Sequence, residues 1–241
     1  MKGFIILGLS VSSVLSAQTD STQIKEIQEV SFTRRLPVSK EIINVQKDLG
    51  SKNLGQDLPI LLKNQMSVVA TSDAGNGVGY TGFRIRGSAG TSINVMLNGV
   101  PYNDSESQGT FFVNIPDMAS SASQIVIQRG VGTSSNGTAS FGASVNILTK
   151  NPDEKPYVLG QFSAGSFNTM KTSFEAGSGK FLNNLLSVSA RYSTINSDGY
   201  IDRAFSKLNS YNINALFEKG NTKIRFLTFG GKEKTYQAWN G

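Results

Sequence analysis

The sequence predicts an α+β globular domain followed by antiparallel strands long enough to cross a membrane, all behind an export signal. Three observations lead there. Phe4–Leu15 is an apolar run after a basic start. Leu54, Leu58, Leu61 and Leu62 recur at helical spacing among short strand-like stretches and an Asn98-Gly99 turn signal. After Asn151-Pro152, five segments alternate apolar and polar residues with period two.

Composition narrows the chemistry. The chain has 241 residues with neither cysteine nor histidine. That removes disulfides, thiolate and imidazole catalysis, and every Cys/His metal site. No cofactor and no metal site are expected. The net charge of +6 is scattered, and only Arg34-Arg35 forms a basic pair, so a solvated surface is expected and no nucleic-acid partner. With 25 glycines and many Ser, Thr and Asn, the chain reads as β structure with many turns.

Met1-Lys2, Phe4–Leu15 and the small residues near Ser16 and Ala17 have the layout of a signal peptide. A membrane helix needs about 20 apolar residues, and this run is shorter. Glu26–Arg35 is an isolated strand-like stretch with Val30 and Phe32 alternating against Ser31 and Thr33. It is either an ordinary edge strand or an extended segment able to pair with another protein's sheet edge. From Val38 to Lys150 the chain reads as a mixed globule. Asn53 is placed as cap of a helix through Leu54–Gln65, with Pro59 restricting its first part. Phe83–Gly87 is a strand, Ser92–Asp104 a strand, turn and second short strand, and Ser123–Gly130 and Ala143–Lys150 are further strands.

Gly77-x-Gly79-x-x-Gly82, with Asp104 beyond it, has the spacing of a dinucleotide-binding turn. Such a turn needs a helix N-terminus directly after it to hold the pyrophosphate. Here "FRIRG" follows, an alternating strand, so the match is a coincidence of spacing. Asp104 and Glu106 are the candidates for a secreted carboxylate hydrolase, but no second acid at a fixed spacing supports them, and a solvated loop is the simpler reading.

Beyond Asn151 the alternating segments are Tyr157–Gly165, Met170–Gly177, Leu186–Thr194, Tyr211–Glu218 and Thr222–Gly230, with Leu216 the exception to its pattern. Each is close to the roughly 9–11 residues of a tilted membrane strand. "GSGKFLNN" and "EKGNT" read as short turns and "NSDGYIDRAFSKLN" as a long loop, the asymmetry of outer-membrane barrels. Alternation alone equally fits a soluble sandwich with one wet face. Five strands cannot close a barrel, so the chain is expected to be either soluble or the front of a longer protein.

The order of signal peptide, extended box, α/β globule and alternating strands resembles the TonB-dependent outer-membrane receptors. "EVSFT" (Glu29, Val30, Ser31, Phe32, Thr33) is similar to a Ton box. "FRIRG" resembles the Arg-x-Arg-Gly strand at Arg84, Arg86 and Gly87, and "NVMLNGVPYND" the hairpin, with Asn98 for the usual Asp beside Gly99. Ser123–Lys150 resembles the closing signature at Arg129, Gly130, Gly142 and Asn146, with Phe141 for its Tyr. The family's Arg-x-Glu pair falls on Gln124 and Val126, so the resemblance gives no basis here for the contact those charges make with the barrel wall.

The resemblance implies an α+β plug domain followed by the first antiparallel strands of a transmembrane β-barrel, 22-stranded in the complete family member. It implies a signal peptide at 1–17, an extension with the Ton box at 18–37, a plug at 38–152 and the start of the barrel at 153–241. In that resemblance a Lys/Glu-lined barrel interior could take Arg84, Arg86 and Arg129; the alternative is surface arginines on a soluble globule. The implied partners would be TonB through the Ton box, outer-membrane lipid, and a small nutrient complex. The chain would be no enzyme, exported by a Sec-type route to the cell outer membrane of a Gram-negative bacterium. The short stretch before the box tilts the nutrient toward a ferric siderophore, haem or cobalamin, with no imidazole available in this portion to ligate haem. The rival from another class is a secreted β-rich binding or adhesion protein without energy coupling.

Overall fold

β-branched side chains set out the first sheet. The computed structural model describes residues 40–131 and 140–236; the expected signal peptide and the box at Glu29–Thr33 lie outside them. Seven strands precede Asn151: β1 (Lys40–Asn44), β2 (Val68–Ser72), β3 (Thr81–Ile85), β4 (Ile93–Leu97), β5 (Val100–Pro101), β6 (Ala122–Arg129) and β7 (Ala143–Thr149). β2 and β3 form a separate antiparallel pair, and the others form one sheet in the order β1-β6-β7-β4-β5. Only β4 and β7 run parallel. Ile93, Val95, Ile125, Ile127, Val145 and Ile147 are at most 2% exposed, and Leu58, Leu61, Leu62, Phe83, Phe112 and Met118 share their core.

The hairpin at Asn98-Gly99 forms as expected. Both residues have positive φ, 51° and 84°, and Leu97 pairs with Val100 across them. That is the type I′ geometry whose twist suits a two-residue hairpin, and Asn and Gly tolerate it at least cost.

The expected long helix from Leu54 does not form. Only α1 (Leu58–Leu61) is helical, with Asp57 in the N-cap place and Pro59 in its first turn. Gly55 at φ 113° turns the chain between Asn53 and Asp57, and Pro59 has no N–H to donate to the Gly55 carbonyl, so the helix cannot extend back beyond its first turn. Leu58, Leu61 and Leu62 remain in the core, whereas Leu54 is exposed. A second short helix, α2 (Met118–Ser121), leads into β6.

The last five strands make an antiparallel meander in chain order, the wall sheet: β8 (Pro156–Gly165), β9 (Thr169–Phe181), β10 (Leu186–Ser197), β11 (Ser206–Lys219) and β12 (Thr222–Thr235). They run past the alternating cores read from sequence, so β9 absorbs all of "GSGKF" and the long loop contracts to residues 198–205.

The polarity of this sheet is inverted relative to a soluble one. Lys171, Ser173, Ser187, Arg191, Ser193, Asn212 and Asn214 are buried, while Phe162, Phe174, Tyr192, Tyr211, Ile213 and Phe226 are exposed. In a half-wet sandwich the apolar face turns to the core. Here the polar face turns to the first domain and the apolar face looks outward, as on a membrane barrel. Leu216, the sequence exception, is buried on the inward face. Phe226→Arg, in the full-length protein refolded into lipid vesicles, is expected to lower unfolding stability by about 2–4 kcal/mol if it lies near the bilayer midplane. A change within about 0.5 kcal/mol, usual for a water-facing surface position, would return the sheet to the soluble reading.

Candidate functional site

The residues singled out by motif fall into two groups. Asn98, Gly99 and Asn146 meet where β4 and β7 lie side by side: the Gly99 amide donates to Asn146 Oδ1 at 3.0 Å, and Asn98 Oδ1 accepts from the Thr149 amide at 2.9 Å. The second group gathers at the far end of the same strands. Arg86 and Gly87 form a left-handed pair, φ 52° and 78°. The Gly130 amide donates to the Gly142 carbonyl at 2.7 Å, and the Gly142 amide to Ser92 at 2.9 Å. A Cβ on Gly142 would stand 2.2 Å from Ser88 Cβ, so the strand can pass only with glycine there.

The three signature arginines all stand in the first domain, Arg84 in β3, Arg86 just after it and Arg129 at the end of β6. Arg129 pairs with Glu41 of β1 and donates from Nε to the Met66 carbonyl at 3.0 Å, all within the first domain. Arg84 and Arg86 are exposed and reach no wall residue through an ion pair among the described residues. Across the seam Lys150 of the first domain lies 3.8 Å from Glu175 of the wall, while the most buried ionic contact sets two cations of the wall against one carboxylate of the first domain.

That carboxylate is Asp117, at the N-cap of α2 with φ 54° and a fully buried side chain. Oδ1 accepts from Lys171 Nζ at 2.7 Å, and Oδ2 accepts from Arg191 and from Ser193 Oγ at 2.7 Å. Lys171 belongs to β9, and Arg191 and Ser193 to β10. Lys171 Nζ also donates to Ser120 Oγ at 2.9 Å and Asn53 Oδ1 at 3.3 Å, and Arg191 Nε donates to Ser121 Oγ at 2.9 Å. Burial by itself would raise the Asp117 carboxyl; the Arg191 and Lys171 charges override it and hold the group below the usual carboxylate range.

Two further contacts join the domains. Arg225 of β12 donates to Thr149 Oγ1 at 2.8 Å and to the Lys150 carbonyl, while its Nε donates to Asn214 Oδ1 at 3.1 Å. Thr149 Oγ1 also takes a bond from Asn98 Nδ2 at 3.0 Å, so the hairpin asparagine sits one step behind the wall arginine. At the other end the glycine loop meets the wall. The Tyr200 amide donates to the Ala74 carbonyl at 2.8 Å, and Val78 is fully buried with Val113, Ile195 and Leu208. A Cβ on Gly75 would come within 3.0 Å of the Tyr200 ring, and one on Gly79 within 2.6 Å of Ser206 Oγ. The glycines at 75 and 79 thus allow the loop to lie against the wall, Gly77 packs on Ile60 of the first domain, and Gly82 is inside β3.

Asp57 anchors that loop from behind. Its amide donates to the Gly77 carbonyl at 2.9 Å, and its Oδ2 accepts from Thr81 Oγ1 at 2.9 Å, but Oδ1 is buried without a partner. Burial pushes the carboxyl up to about 7, against the hydrogen bonds from Thr81 and Gly79 and with repulsion from Asp117 and Glu233. Asp104, by contrast, caps its own turn: Oδ2 accepts from the Ser107 amide at 2.7 Å and the Glu106 amide at 3.2 Å, which holds it below the usual carboxylate range. A carboxylate spent on its own loop, fully exposed, is no hydrolase pair with Glu106.

The family described as TonB-dependent Receptor Plug Domain matches residues 33–144. Residues 33–144 carry the plug domain of the TonB-dependent receptors. Its plug and wall share their fold with solved receptors at low identity. The copper transporter OprC matches with TM-score 0.68 and 15% identity over 84% of this chain and 32% of its own. The ferripyoverdine receptor of Pseudomonas aeruginosa gives 0.64 and 13% over 82% and 25%. The ferric yersiniabactin receptor FyuA of Yersinia pestis gives 0.61 and 16% over 80% and 31%. The chain therefore spans about a quarter to a third of the length of these receptors. No curated protein matches it in sequence. TonB-dependent receptors are transporters, not enzymes, and the site to understand is this seam between plug and wall.

Sequence reasoning left the seam unassigned at Gln124 and Val126, and neither carries it: both pair with β1, opposite Asn44 and Ile42. Lys171 and Arg191 stood on the polar face of their alternating segments, a visible signal; that they converge on Asp117 was not. Asp117→Ala in the complete receptor should cost about 3–5 kcal/mol by stranding two buried cations, read as earlier urea release of the plug by limited proteolysis. An unchanged midpoint would show the cluster to be ornamental. Asp57 works in the opposite sense. Its carboxyl is raised from 3.8 to about 7 on folding, so its contribution is full below pH 3.8 and is lost as pH rises through about 7. Hydrogen exchange at Val78 and Gly79, corrected for intrinsic rates, should lose protection between pH 5 and 8, and Asp57→Asn should remove that dependence.

Proposed function

We propose that this chain is the plug and first wall strands of an outer-membrane receptor that imports a scarce nutrient under TonB control. The observation that carries the reading is the wall: polar side chains turned in to bind the plug through Asp117, Thr149 and Lys150, and an apolar face turned out. A secreted adhesin would gain nothing from that polarity. The unpaired edges of β8 and β12 are the places where the remaining strands of a closed barrel would join.

In this reading residues 1–17 direct Sec-type export and Glu29–Thr33 is the Ton box, which pairs as an added strand with TonB. Pulling on it transmits through Pro37 to β1, whose Glu41 is tied to Arg129. The plug boundary lies near 38 and 152. Arg84, Arg86, Gly87, Asn98, Gly99, Arg129, Gly130, Gly142 and Asn146 act as fold-keeping residues of the plug, not as ligands for the nutrient. The cargo class is a metal chelate, a ferric siderophore, haem or cobalamin. Solved structures with this fold include receptors for pyoverdine and yersiniabactin and a copper transporter.

The test separates binding from coupling. Val30→Pro, which removes a backbone donor from the paired strand, should abolish growth on the cognate nutrient while cells still bind it at wild-type levels. Uptake that survives both Val30→Pro and deletion of Glu29–Thr33 would remove energy coupling from the reading and return the secreted binding protein to first place.

A further inference from the structure

The cluster around Asp117 sets one negative charge against two positive, and beside it the seam leaves a cavity of about 10 Å³. That is room for a guest of one heavy atom. Plug and wall both line it. Ser121 comes from α2 and Lys150 follows β7, while Glu175 stands on β9, Arg191 on β10, and Asn212 and Asn214 on β11. Arg191 and Asn212 pair directly in the register of β10 and β11, and both are buried, at 5% and 7% exposed. Directly opposed side chains on one face of an antiparallel pair have Cβ atoms about 4.5–5.5 Å apart.

The lining is rich in donors that have nothing to donate to. Asn212 Nδ2 is buried with no hydrogen-bond partner among the described residues, a state that buried amides rarely keep. Arg191 spends Nε on Ser121 Oγ and one terminal nitrogen on Asp117, and its other terminal nitrogen makes no hydrogen bond among the described residues. Ser121 Oγ accepts that bond, which leaves its own hydrogen to give. Lys150 Nζ stands 3.8 Å from Glu175 Oε2, beyond hydrogen-bond reach. Asn214 is fully used, with Nδ2 on the Lys150 carbonyl and Oδ1 on Arg225. Glu175 Oε1 already accepts from the Tyr157 hydroxyl at 2.6 Å. A water in the cavity would have two hydrogens of its own to place, with Glu175 the one carboxylate on the lining to receive them. An anion takes from every donor and places none. The charges agree. Lys150 offsets Glu175 and Lys171 offsets Asp117, which leaves the positive charge of Arg191 in surplus.

We propose that this cavity binds a single monoatomic anion, chloride, which accepts from Asn212 Nδ2, Arg191 and Ser121 Oγ and balances the surplus charge of the seam. The anion would bridge α2 of the plug to β10 and β11 of the wall, so it binds only while the two are in contact and thereby holds them together. Its loss leaves Asn212 Nδ2 without a partner and two cations sharing one carboxylate. A cavity of this size excludes polyatomic anions. The site needs plug and wall in contact but neither import nor TonB coupling, so its failure leaves the reading above intact.

The full-length protein in detergent is titrated with urea at fixed ionic strength, chloride being exchanged stepwise for gluconate, and plug release is read by limited proteolysis. A ligand that binds only the closed seam divides the released population by one plus its concentration over its Kd. Release from wild type is therefore expected to fall roughly tenfold when chloride stands ten times above its Kd. Asn212→Asp, nearly the same shape, sets a carboxylate beside Arg191 in place of the anion, and its release should match chloride-saturated wild type in both salts. Asn212→Leu should also ignore chloride but release as wild type does in gluconate. Wild-type crystals soaked in bromide should show an anomalous peak within hydrogen-bond reach of Asn212 Nδ2 and Arg191, absent from Asn212→Asp. Equal release of wild type in chloride and gluconate overturns the proposal, and a bromide peak beside that result marks an adventitious ion only. A chloride effect that persists in both Asn212 variants overturns this site. Density in the cavity without anomalous signal would assign it to a water and overturn the anion.

Discussion

Asp117 is a carboxylate with no solvent, faced by two cations that arrive from different strands of the wall. Removing that carboxylate while the seam stays closed would leave Lys171 and Arg191 buried and unpaired, a state far costlier than the intact cluster. The stoichiometry is unequal, one negative charge to two positive. The surplus is spread over neutral acceptors, Asn53 Oδ1 and the hydroxyls of Ser120 and Ser121, all on the plug. The positive φ of Asp117 follows from the same constraint: the backbone turns sharply so that the carboxyl points into the wall as α2 begins.

Much of the plug is arranged around keeping that contact and its two companions in place. β6 and β7 are flanked by β1 and β4, and their ends carry Lys150, which accepts from Arg225, and Arg129, which ties β1 through Glu41. The plug thus has two kinds of ionic contact. One binds its sheet to itself, and the others bind it to the wall. β1, which Glu41 ties to Arg129, is the edge strand of its sheet, whereas Asp117 is buried against β9 and β10.

The glycine-rich loop shows how a spacing can mislead and still carry meaning. Gly75, Gly77 and Gly79 have positive φ, and the wall stands so close to Gly75 and Gly79 that a methyl group would collide with Tyr200 or Ser206. Glycine is needed there for close approach, as it is in a phosphate-binding turn, but the object approached is protein. Arg129 makes a similar point. Its place in a signature motif was legible; its partner was not, because Glu41 lies 88 residues away and comes beside it only when β1 pairs with β6.

Sequence by itself determined the alternating strands, since period two is a property of extended backbone and needs no partner to be read. It determined the Asn98-Gly99 hairpin, where the conformation belongs to the two residues themselves. It also excluded imidazole and thiolate chemistry outright. Only the tertiary structure decided which face of the alternating strands was buried, because alternation has two solutions and the choice depends on what packs against the sheet. It decided the length of α1, where Gly55 and Pro59 outweighed a leucine pattern. It decided that Asp117, an unremarked acid ahead of a one-turn helix, meets Lys171 and Arg191. The energy of that meeting arises from exclusion of water at a junction of segments distant in the chain, and no local pattern encodes it.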